Sequence, residues 1–224
     1  SLGAGIQSST LLLMSATGKL PKLDAAIFAD TKMEPPAVYN WLHNTLIPEA
    51  NKANIPIHIV ENGNIQKIEE RTFIPIPAYT IHDEKKSILR RQCTKEFKIT
   101  PIRTKIWELS DHRRKKVDQW IGISADEIGR MSESDVLYMR NTYPLIELNL
   151  TREDCQQWLT EHGYGPAPKS SCICCPYRSD LAWKEMKEQY VGSNFSCENG
   201  CLCVKQEDLT NISLRGNNTP SMCS

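Results

Sequence analysis

A glycine-rich loop that runs directly into an apolar segment constrains the fold more than any other part of the sequence. Residues 1–10 read SLGAGIQSST, and the apolar run LLLM follows at 11–14. Small residues leave the backbone open to a ligand, and glycine accepts the tight-turn conformations that such a loop needs. A helix beginning here would direct free N–H groups and the positive end of its dipole at the loop. The stretch therefore predicts either a phosphate-binding loop or an ordinary turn that caps a helix.

Short apolar runs that alternate with helical patterns predict a parallel sheet. Residues 25–29 (AAIFA), 55–60 and 117–123 each have the pattern of a strand, and the first is apolar enough to be buried on both faces. This alternation is typical of an α/β fold with a doubly wound, mostly parallel sheet and helices on both faces. We expect such a domain over residues 1–165 and a Cys-rich C-terminal segment over residues 166–224.

A second helix start is readable further along the chain. Thr151 has the character of an N-cap, and Asp154 three residues later completes a pattern close to a capping box. The helix that follows, over residues 152–162, is expected to be scaffold with Leu159 turned inward. Cys155 on this helix is predicted to pack in the core rather than to bind a ligand.

Composition and charge exclude some classes of function and leave others open. The chain has 27 Lys plus Arg and 27 Asp plus Glu, so its net charge gives no general argument for nucleic acid, although the basic run 112–116 (HRRKK) could be a local contact or a solvated turn. The sequence contains no run of eighteen apolar residues and no secretory signal pattern. We therefore expect a soluble, cytoplasmic protein with no membrane partner.

Polar residues follow the predicted strands at their carboxyl ends. Asp30 and Thr31 come directly after the first strand, and Asp126, Glu127 and Arg130 come after the strand at 117–123. In open α/β sheets this is the edge where ligands bind. Carboxylates suit Mg²⁺ and Arg suits phosphate, so the edge is a candidate nucleotide site. Asp and Thr are equally common in caps and turns, which remains the alternative for the first pair.

The sequence has nine cysteines, six of them in two groups at 172–175 and 197–203. In a reducing compartment, clustered cysteines favour metal or iron–sulfur ligation over disulfides. Cys93 lies among several cations, which favour a thiolate. Cys172 and Cys175 form a Cys-x-x-Cys pair that can place two sulfurs on one metal, and three more cysteines lie at 197–203. Three thiolates would leave an open iron on a 4Fe–4S cluster, whereas four would indicate a closed zinc site or cluster. A redox dithiol and free thiols remain alternatives.

Several of these segments resemble the PP-loop ATP pyrophosphatases and phosphoadenosine-phosphosulfate (PAPS) reductases. Residues 3–8 (GAGIQS) are similar to the Ser-Gly-Gly-Lys-Asp-Ser loop of that superfamily, with Ile6 and Gln7 in place of Lys and Asp. Residues 28–35 (FADTKMEP) resemble its Asp-Thr-Gly-x-Glu segment. The family loop normally follows a β-strand, whereas this sequence begins inside the motif, so that strand is either outside the sequence or missing.

The resemblance continues through the middle of the chain. Residues 90–102 resemble the Cys-Thr…Lys…Pro-Ile segment of the same superfamily, and residues 122–130 (GISADEIGR) resemble its Gly-Ile-Arg-x-Asp-Glu-Ser…Arg segment, with Ser124 in place of the first Arg. The matching segments keep the family order over about residues 1–177. They look most like the PAPS-reductase-like proteins of phages and of DNA sulfur modification systems.

The resemblance implies an adenine nucleotide alpha hydrolase-like fold and a set of functional residues. The implied contacts to ATP or a related adenine nucleotide, with Mg²⁺, are Gly3, Ala4, Gly5, Gln7, Ser8, Ser9, Asp30, Thr31, Glu34, Lys98, Gly122, Ser124, Glu127 and Arg130. The implied catalytic residues are Asp30, Cys93 and Asp126, and the implied metal or cluster ligands are Cys93, Cys172, Cys175 and Cys201. The expected reaction is adenylation of an acceptor with release of pyrophosphate, and then sulfur transfer to that acceptor through a Cys-bound iron–sulfur cluster.

Two other functions stay open. One is thiol-dependent reduction of an adenylylated sulfate, with Cys93 or a tail cysteine as the nucleophile, although the terminal Glu-Cys-Gly-x-His segment of such reductases is absent from the sequence. The other is a non-catalytic nucleotide-binding module with structural zinc, whose basic stretch contacts nucleic acid or a protein of a modification complex. The changed loop residues Ile6 and Gln7 slightly favour the second.

Overall fold

The fold is known from a computed structural model, which describes residues 1–63, 79–82, 85–88, 92–111, 116–173, 175, 177, 179, 181–182, 184–185 and 212–213. Helices and short parallel strands alternate along these residues, and this confirms the predicted α/β class. The strands are described as separate short ladders, so the doubly wound arrangement remains a prediction. None of the helices described is long and apolar enough to cross a membrane.

Six α-helices and seven strands are described. The helices are α1 (Ile6–Ala16), α2 (Pro36–Trp41), α3 (Ile47–Lys52), α4 (Thr100–Leu109), α5 (Pro144–Glu147) and α6 (Arg152–Glu161). The strands are β1 (Ala26–Ala29), β2 (Ile57–Val60), β3 (Tyr79–His82), β4 (Lys85–Ile88), β5 (Val117–Trp120), β6 (Met139–Thr142) and β7 (Ile212–Ser213). Helices α2 to α5 each carry a proline in the first turn, where its missing N–H would have no helical partner in any case.

Three irregular helical turns complete the described secondary structure. Single π-helical turns join α2 to α3 and lead into α4, at Leu42–Leu46 and Lys95–Ile99. A 3₁₀-helix spans Ala125–Arg130 after β5. The segments that contain Lys98 and Asp126, both predicted site residues, are therefore helical turns rather than open loops.

Two parallel ladders are linked by the first residues of the chain. β1 pairs with β2, and β5 pairs with β6, both in parallel. The Leu2 N–H donates to the Ile27 carbonyl oxygen at 2.8 Å, while the Ser1 nitrogen donates to the Trp120 carbonyl oxygen at 2.8 Å. Residues 1 and 2 therefore lie between β1 and β5. β3, β4 and β7 form a separate antiparallel group.

β1 is buried on both faces, as its apolar sequence predicts. Its Ala26 and Phe28 pack into the main core with α1 and the α2–α3 region. Its Ile27 and Ala29 face a second cluster, which includes Ile106 of α4. Because successive side chains of a strand point to opposite faces, β1 holds apolar helices on both sides.

Helix α6 begins with the capping box that its sequence predicts. Thr151 Oγ1 accepts the Asp154 N–H at 3.2 Å, and Asp154 Oδ2 accepts the Thr151 N–H at 2.8 Å. The reciprocal bonds satisfy two backbone donors at the helix start. Cys155 packs with Leu11 and Leu145, and burial raises the pKa of its thiol to about 11. The prediction that Cys155 is a packing residue is confirmed.

Candidate functional site

The glycine-rich loop presents an uncapped helix start. Ala4 is buried in the left-handed conformation (φ 51°), and Gly5 is the N-cap of α1. No side chain among the described residues caps α1, and its first turn holds no acidic residue. The first N–H groups of an α-helix have no partner inside the helix, and they carry the positive end of its dipole. The start of α1 can therefore interact with an anion.

The hydroxyl groups of the loop mostly serve the loop and the helix. Ser8 Oγ accepts the Gly3 N–H at 3.1 Å and donates to the Gly5 carbonyl oxygen at 3.3 Å. Ser9 is fully buried, and its Oγ accepts the Trp41 Nε1–H at 2.9 Å. These bonds hold the turn in shape, so phosphate contacts by the Ser8 and Ser9 hydroxyls remain predictions.

A hydrogen-bonded group that we call the Gln7 network joins α1 to the segment after β5 and to α6. It consists of Gln7, Ser124, Glu127 and Arg152. Gln7 Nε2 donates to Ser124 Oγ at 3.3 Å and to Glu127 Oε2 at 3.0 Å, and Arg152 Nη1 donates to Gln7 Oε1 at 3.2 Å. Arg130 lies at the exposed side of this network, 2.5 Å from Glu127 Oε1. The structure thus brings together several predicted site residues.

Gly122 and Asp126 shape the same corner of the molecule. A Cβ on Gly122 would lie 2.8 Å from Ser8 N and 3.1 Å from Ser8 Cα, so the backbone after β5 approaches α1 too closely for a side chain. Asp126 Oδ1 accepts the Arg152 N–H at 2.9 Å at the first residue of α6. A hydrogen bond from Ser124 and this backbone bond lower the pKa of Asp126.

Asp30 is buried at the end of β1 and is fully engaged by its neighbours. Its Oδ1 accepts the Tyr39 hydroxyl at 2.7 Å and the Lys32 N–H at 2.8 Å, and its Oδ2 pairs with Lys32 Nζ at 3.0 Å. Burial raises the pKa of Asp30, but the bonds from Tyr39 and Lys32 outweigh it, and the pKa lies below the usual value. Burial and the Asp30 carboxylate raise the pKa of Tyr39.

A second polar group, which we call the Glu34 cluster, consists of Thr31, Glu34, Lys98 and Cys172. Glu34 Oε1 pairs with Lys98 Nζ at 2.8 Å, and the Glu34 side chain is 1% exposed. Its second oxygen, Oε2, is buried without a hydrogen-bond partner among the described residues. Burial lowers the pKa of Lys98, yet the Glu34 carboxylate and Cys172 raise it above the usual value. The lysine therefore stays charged beside the carboxylate.

The Cys-x-x-Cys segment contacts the Glu34 cluster. Cys172 Sγ lies 3.3 Å from Thr31 Oγ1 and 3.7 Å from Glu34 Oε1. The Ile173 N–H donates to the Met33 carbonyl oxygen at 2.7 Å, and the Cys175 N–H donates to the Cys172 carbonyl oxygen at 3.0 Å. Burial raises the pKa of the Cys172 thiol to about 11. The segment is therefore anchored on the chain that follows β1, and the thiol is protonated at neutral pH.

The predicted metal ligands are only partly described. Cys93, Cys172 and Cys175 are of intermediate burial and form no disulfide among the described residues, and Cys201 lies outside those residues. Cys172 and Cys93 both raise the pKa of Lys98, so each of the two thiols lies within electrostatic range of that lysine. Within the described ranges, no three His, Cys, Asp or Glu side chains are arranged to hold a metal ion. The cluster and zinc therefore remain predictions.

Besides Lys32, which pairs with Asp30, four side chains at this edge are missing from the sequence-based set of site residues. Tyr39 donates a hydrogen bond to Asp30, Trp41 donates one to Ser9, and Arg152 donates one to Gln7. Ser170 lies against Gly5. The spacing of Tyr39 after Asp30, on the helix that follows β1, is a local signal that could have indicated the first contact. The other three depend on how distant segments fold together, which no local pattern records.

Comparisons with known proteins add no family assignment. No family model matches the chain, and a search of the curated proteins found no match. The geometry of the described residues and the motifs of the sequence are therefore the basis for a functional proposal.

Proposed function

We propose that the chain is an adenine-nucleotide-binding enzyme of the PP-loop type, which adenylates an acceptor and releases pyrophosphate. One observation carries this proposal. The uncapped start of α1 and the segment 122–127 after β5 are joined by a hydrogen bond and a close backbone contact. The segment 30–34 after β1 is bonded to residues 172 and 173, and the nearby Ser170 lies against Gly5 of the loop. In open α/β sheets, the carboxyl ends of the strands are where nucleotides bind.

The start of α1 is the proposed site for the phosphate chain. Its free N–H groups and helix dipole favour an anion, and no carboxylate in its first turn opposes one. Two cations, Lys32 and Arg130, lie at the same edge. The Lys32 side chain is 47% exposed and the Arg130 side chain is 65% exposed. Both are paired within the fold, Lys32 with Asp30 and Glu61 and Arg130 with Glu127, so a polyphosphate would compete with these carboxylates for them.

The unpartnered Glu34 Oε2 supports a ligand at the other end of the edge. Leaving a buried acceptor without a donor costs roughly 1–3 kcal/mol, and more for a charged group. A hydroxyl of a ribose ring or an amino group on the ligand would satisfy this oxygen. The nucleoside end of the ligand is accordingly assigned to the Glu34 cluster, beside Thr31.

The proposed reaction is in-line transfer of the adenylyl group. An acceptor oxygen attacks the α-phosphorus of ATP and forms a new O–P bond. The bond between the α-phosphorus and its bridging oxygen breaks, and pyrophosphate leaves with the electron pair. The protein contributes positioning of the reactants and electrostatic stabilisation of the phosphates.

The proposed reaction includes no step on the predicted Mg²⁺ or on the predicted 4Fe–4S cluster. Asp30 is occupied by Tyr39 and Lys32, and Asp126 is bonded to the start of α6, so these carboxylates do not fit Mg²⁺ as they stand. A 4Fe–4S cluster on Cys93, Cys172 and Cys175 would supply or activate sulfur for the adenylated acceptor. The described side chains do not form a metal-binding group. No step of sulfur transfer is therefore assigned to the described residues.

Thiol-dependent reduction of an adenylylated sulfate is the second candidate. The contacts of Cys172 with Thr31 and Glu34 favour it, because they bring a thiol to the proposed nucleotide edge. A thiolate would attack the sulfate sulfur, form an S–S bond and release the nucleotide with its bridging oxygen. A second thiol, from the protein or from an added dithiol, would then attack the cysteine sulfur, form a disulfide and release sulfite. The pKa of about 11 disfavours Cys172 itself as the nucleophile of this reaction.

Product analysis distinguishes these functions. The protein is incubated with Mg²⁺ and either ATP or sulfur-labelled adenylylated sulfate, and pyrophosphate, AMP and sulfite are measured. Pyrophosphate from ATP without sulfite supports adenylation, whereas sulfite formation supports the second candidate. Nucleotide binding with neither product would point to a non-catalytic module. No binding of any adenine nucleotide would contradict the proposal.

A further inference from the structure

Ser170 lies against the glycine-rich loop. A Cβ on Gly5 would lie 2.4 Å from Ser170 Oγ and 3.3 Å from Ser170 Cβ, and a Cβ on Gly3 would lie 3.8 Å from the same oxygen. Real Cβ atoms essentially never approach another heavy atom within 3.0 Å. A side chain at Gly5 would force the Ser170 hydroxyl to rotate away and would press on its Cβ, so the Ser170 hydroxyl lies directly against the loop.

The contacts of its neighbours hold Ser170 in this position. Ala167 on one side is buried in the main core. On the other side, Cys172 contacts Thr31, and the Ile173 N–H is bonded to the Met33 carbonyl oxygen. The segment from 167 to 173 is thus anchored at both ends, and it spans the distance between the loop and the Glu34 cluster.

The Ser170 hydroxyl differs from the hydroxyls of the loop itself. Ser8 Oγ is bonded to Gly3 and Gly5, Ser9 Oγ is bonded to Trp41, and Thr10 Oγ1 donates to the Ile6 carbonyl oxygen at 2.9 Å. No hydrogen bond within the described part of the chain engages the Ser170 hydroxyl. It is the hydroxyl at this loop that can turn toward a ligand without breaking a bond of the fold.

We propose that Ser170 completes the anion subsite and donates a hydrogen bond to a phosphate group of the ligand. The inference rests on the proposed function, because it assigns the phosphate chain to the start of α1. It adds that the subsite is built from two distant segments, the glycine-rich loop and residues 167–173. The ligand class is a diphosphate or longer phosphate chain, free or attached to adenosine.

Calorimetric titration of the full chain tests this assignment. ATP, inorganic pyrophosphate and adenosine are titrated into the wild type, Ser170→Ala and the control Ser132→Ala, which alters an exposed serine away from the loop. Ser170→Ala removes one hydrogen bond to a charged phosphate oxygen. The dissociation constants for ATP and pyrophosphate should therefore rise roughly tenfold or more. Adenosine binding and the melting temperature should not change, because the Ala side chain keeps the Ser170 Cβ.

The outcomes separate this inference from the proposed function. If the wild type binds ATP, and Ser170→Ala binds it equally or more tightly, Ser170 does not contact the phosphate and the inference is wrong, although the nucleotide site stands. If the wild type binds neither ATP nor pyrophosphate, both proposals are wrong. If Ser170→Ala does not fold, amide hydrogen exchange of residues 167–173 in the wild type is measured with and without pyrophosphate. A direct contact with the ligand should slow exchange in this segment. Unchanged exchange would contradict the contact.

Discussion

The Gln7 network and the Glu34 cluster lie at the same edge but differ in how completely they are paired. In the Gln7 network, the amide of Gln7 is bonded on both its nitrogen and its oxygen. In the Glu34 cluster, one oxygen of a carboxylate that is 1% exposed has no hydrogen-bond partner among the described residues. The sequence predicts nucleotide contacts in both groups. They are Gln7, Ser124 and Glu127 in the first and Thr31, Glu34 and Lys98 in the second. The fold already uses the polar atoms of the first group, whereas the second keeps one acceptor that no described residue satisfies, and the proposal assigns the nucleoside end of the ligand there.

The largest expected effect follows from removing the cation of the Glu34 cluster. Lys98→Ala leaves the buried Glu34 carboxylate without its charge partner. Because the Lys98 side chain is itself 35% exposed, we expect a loss of about 2–3 kcal/mol of unfolding free energy, below that of a fully buried pair. Urea unfolding measures the loss. Lys52→Ala, which removes a surface pair with Glu49, is the control and should leave the midpoint unchanged. An equal effect of both variants would show that the Glu34 cluster is not a buried electrostatic unit.

The next effect concerns the close approach that supports the Gln7 network. Gly122→Ala places a Cβ 2.8 Å from Ser8 N, so backbone must shift, and overpacking of this kind costs roughly 1–3 kcal/mol. Gly129→Ala is the matched control, since an added Cβ there meets no heavy atom within 4 Å. The two variants are compared by urea unfolding. Equal stability would contradict the packing of the post-β5 segment on α1.

A smaller effect is expected from Gln7→Leu, which removes the hydrogen bonds of the Gln7 network while keeping a similar volume. Each lost bond contributes about 1 kcal/mol, but Glu127 and Arg152 are partly solvated and can bond water instead. The net loss of unfolding free energy should therefore be about 1 kcal/mol. A melting temperature at or above that of the wild type would show that the network does not stabilise the fold.

The smallest effect is a change in pH dependence at Asp30. The pKa of Asp30 in the folded protein lies below the ordinary value of about 4. The ionised carboxylate therefore adds to the free energy of unfolding above about pH 4, and this stabilisation is lost as the pH falls through the lower folded-state pKa. Tyr39→Phe removes a donor to the carboxylate, so the acid-induced loss of stability should become smaller. Tyr143→Phe is the control, because that hydroxyl bonds the Ser132 carbonyl oxygen instead. Unfolding between about pH 5 and pH 2 measures both.

Local patterns predicted the parts of the fold that local chemistry decides. The run of apolar residues in β1 indicated burial on both faces, and Thr151 with Asp154 indicated the start of α6; both are confirmed. The contact between Gly5 and Ser170 could not be predicted in this way, because it depends on where a distant segment crosses the sheet edge. Spacing marks where polar residues stand along a strand, but it does not show which of them the fold will pair.

The pairing of Glu34 with Lys98 illustrates the same limit at the site. Both residues were predicted to contact the nucleotide, yet the structure joins them to one another. Burial of the carboxylate at the end of β1 makes a cation partner necessary, and that requirement appears only once the packing is known. The sequence therefore predicts neither the pairing of Glu34 with Lys98 nor the Glu34 oxygen that has no donor among the described residues.

Binding of ATP at the glycine-rich loop is the central claim, and titration of Gly3→Ala tests it most directly. The added Cβ would lie 3.6 Å from Ser8 Oγ and 3.8 Å from Ser170 Oγ, which are ordinary contact distances, so the fold should be kept while a methyl group enters the proposed phosphate position. We predict that ATP affinity falls about tenfold or more relative to wild type and to the control Gly129→Ala, while adenosine affinity is unchanged. Equal ATP affinity in all three proteins, or no ATP binding by the wild type, would contradict the account.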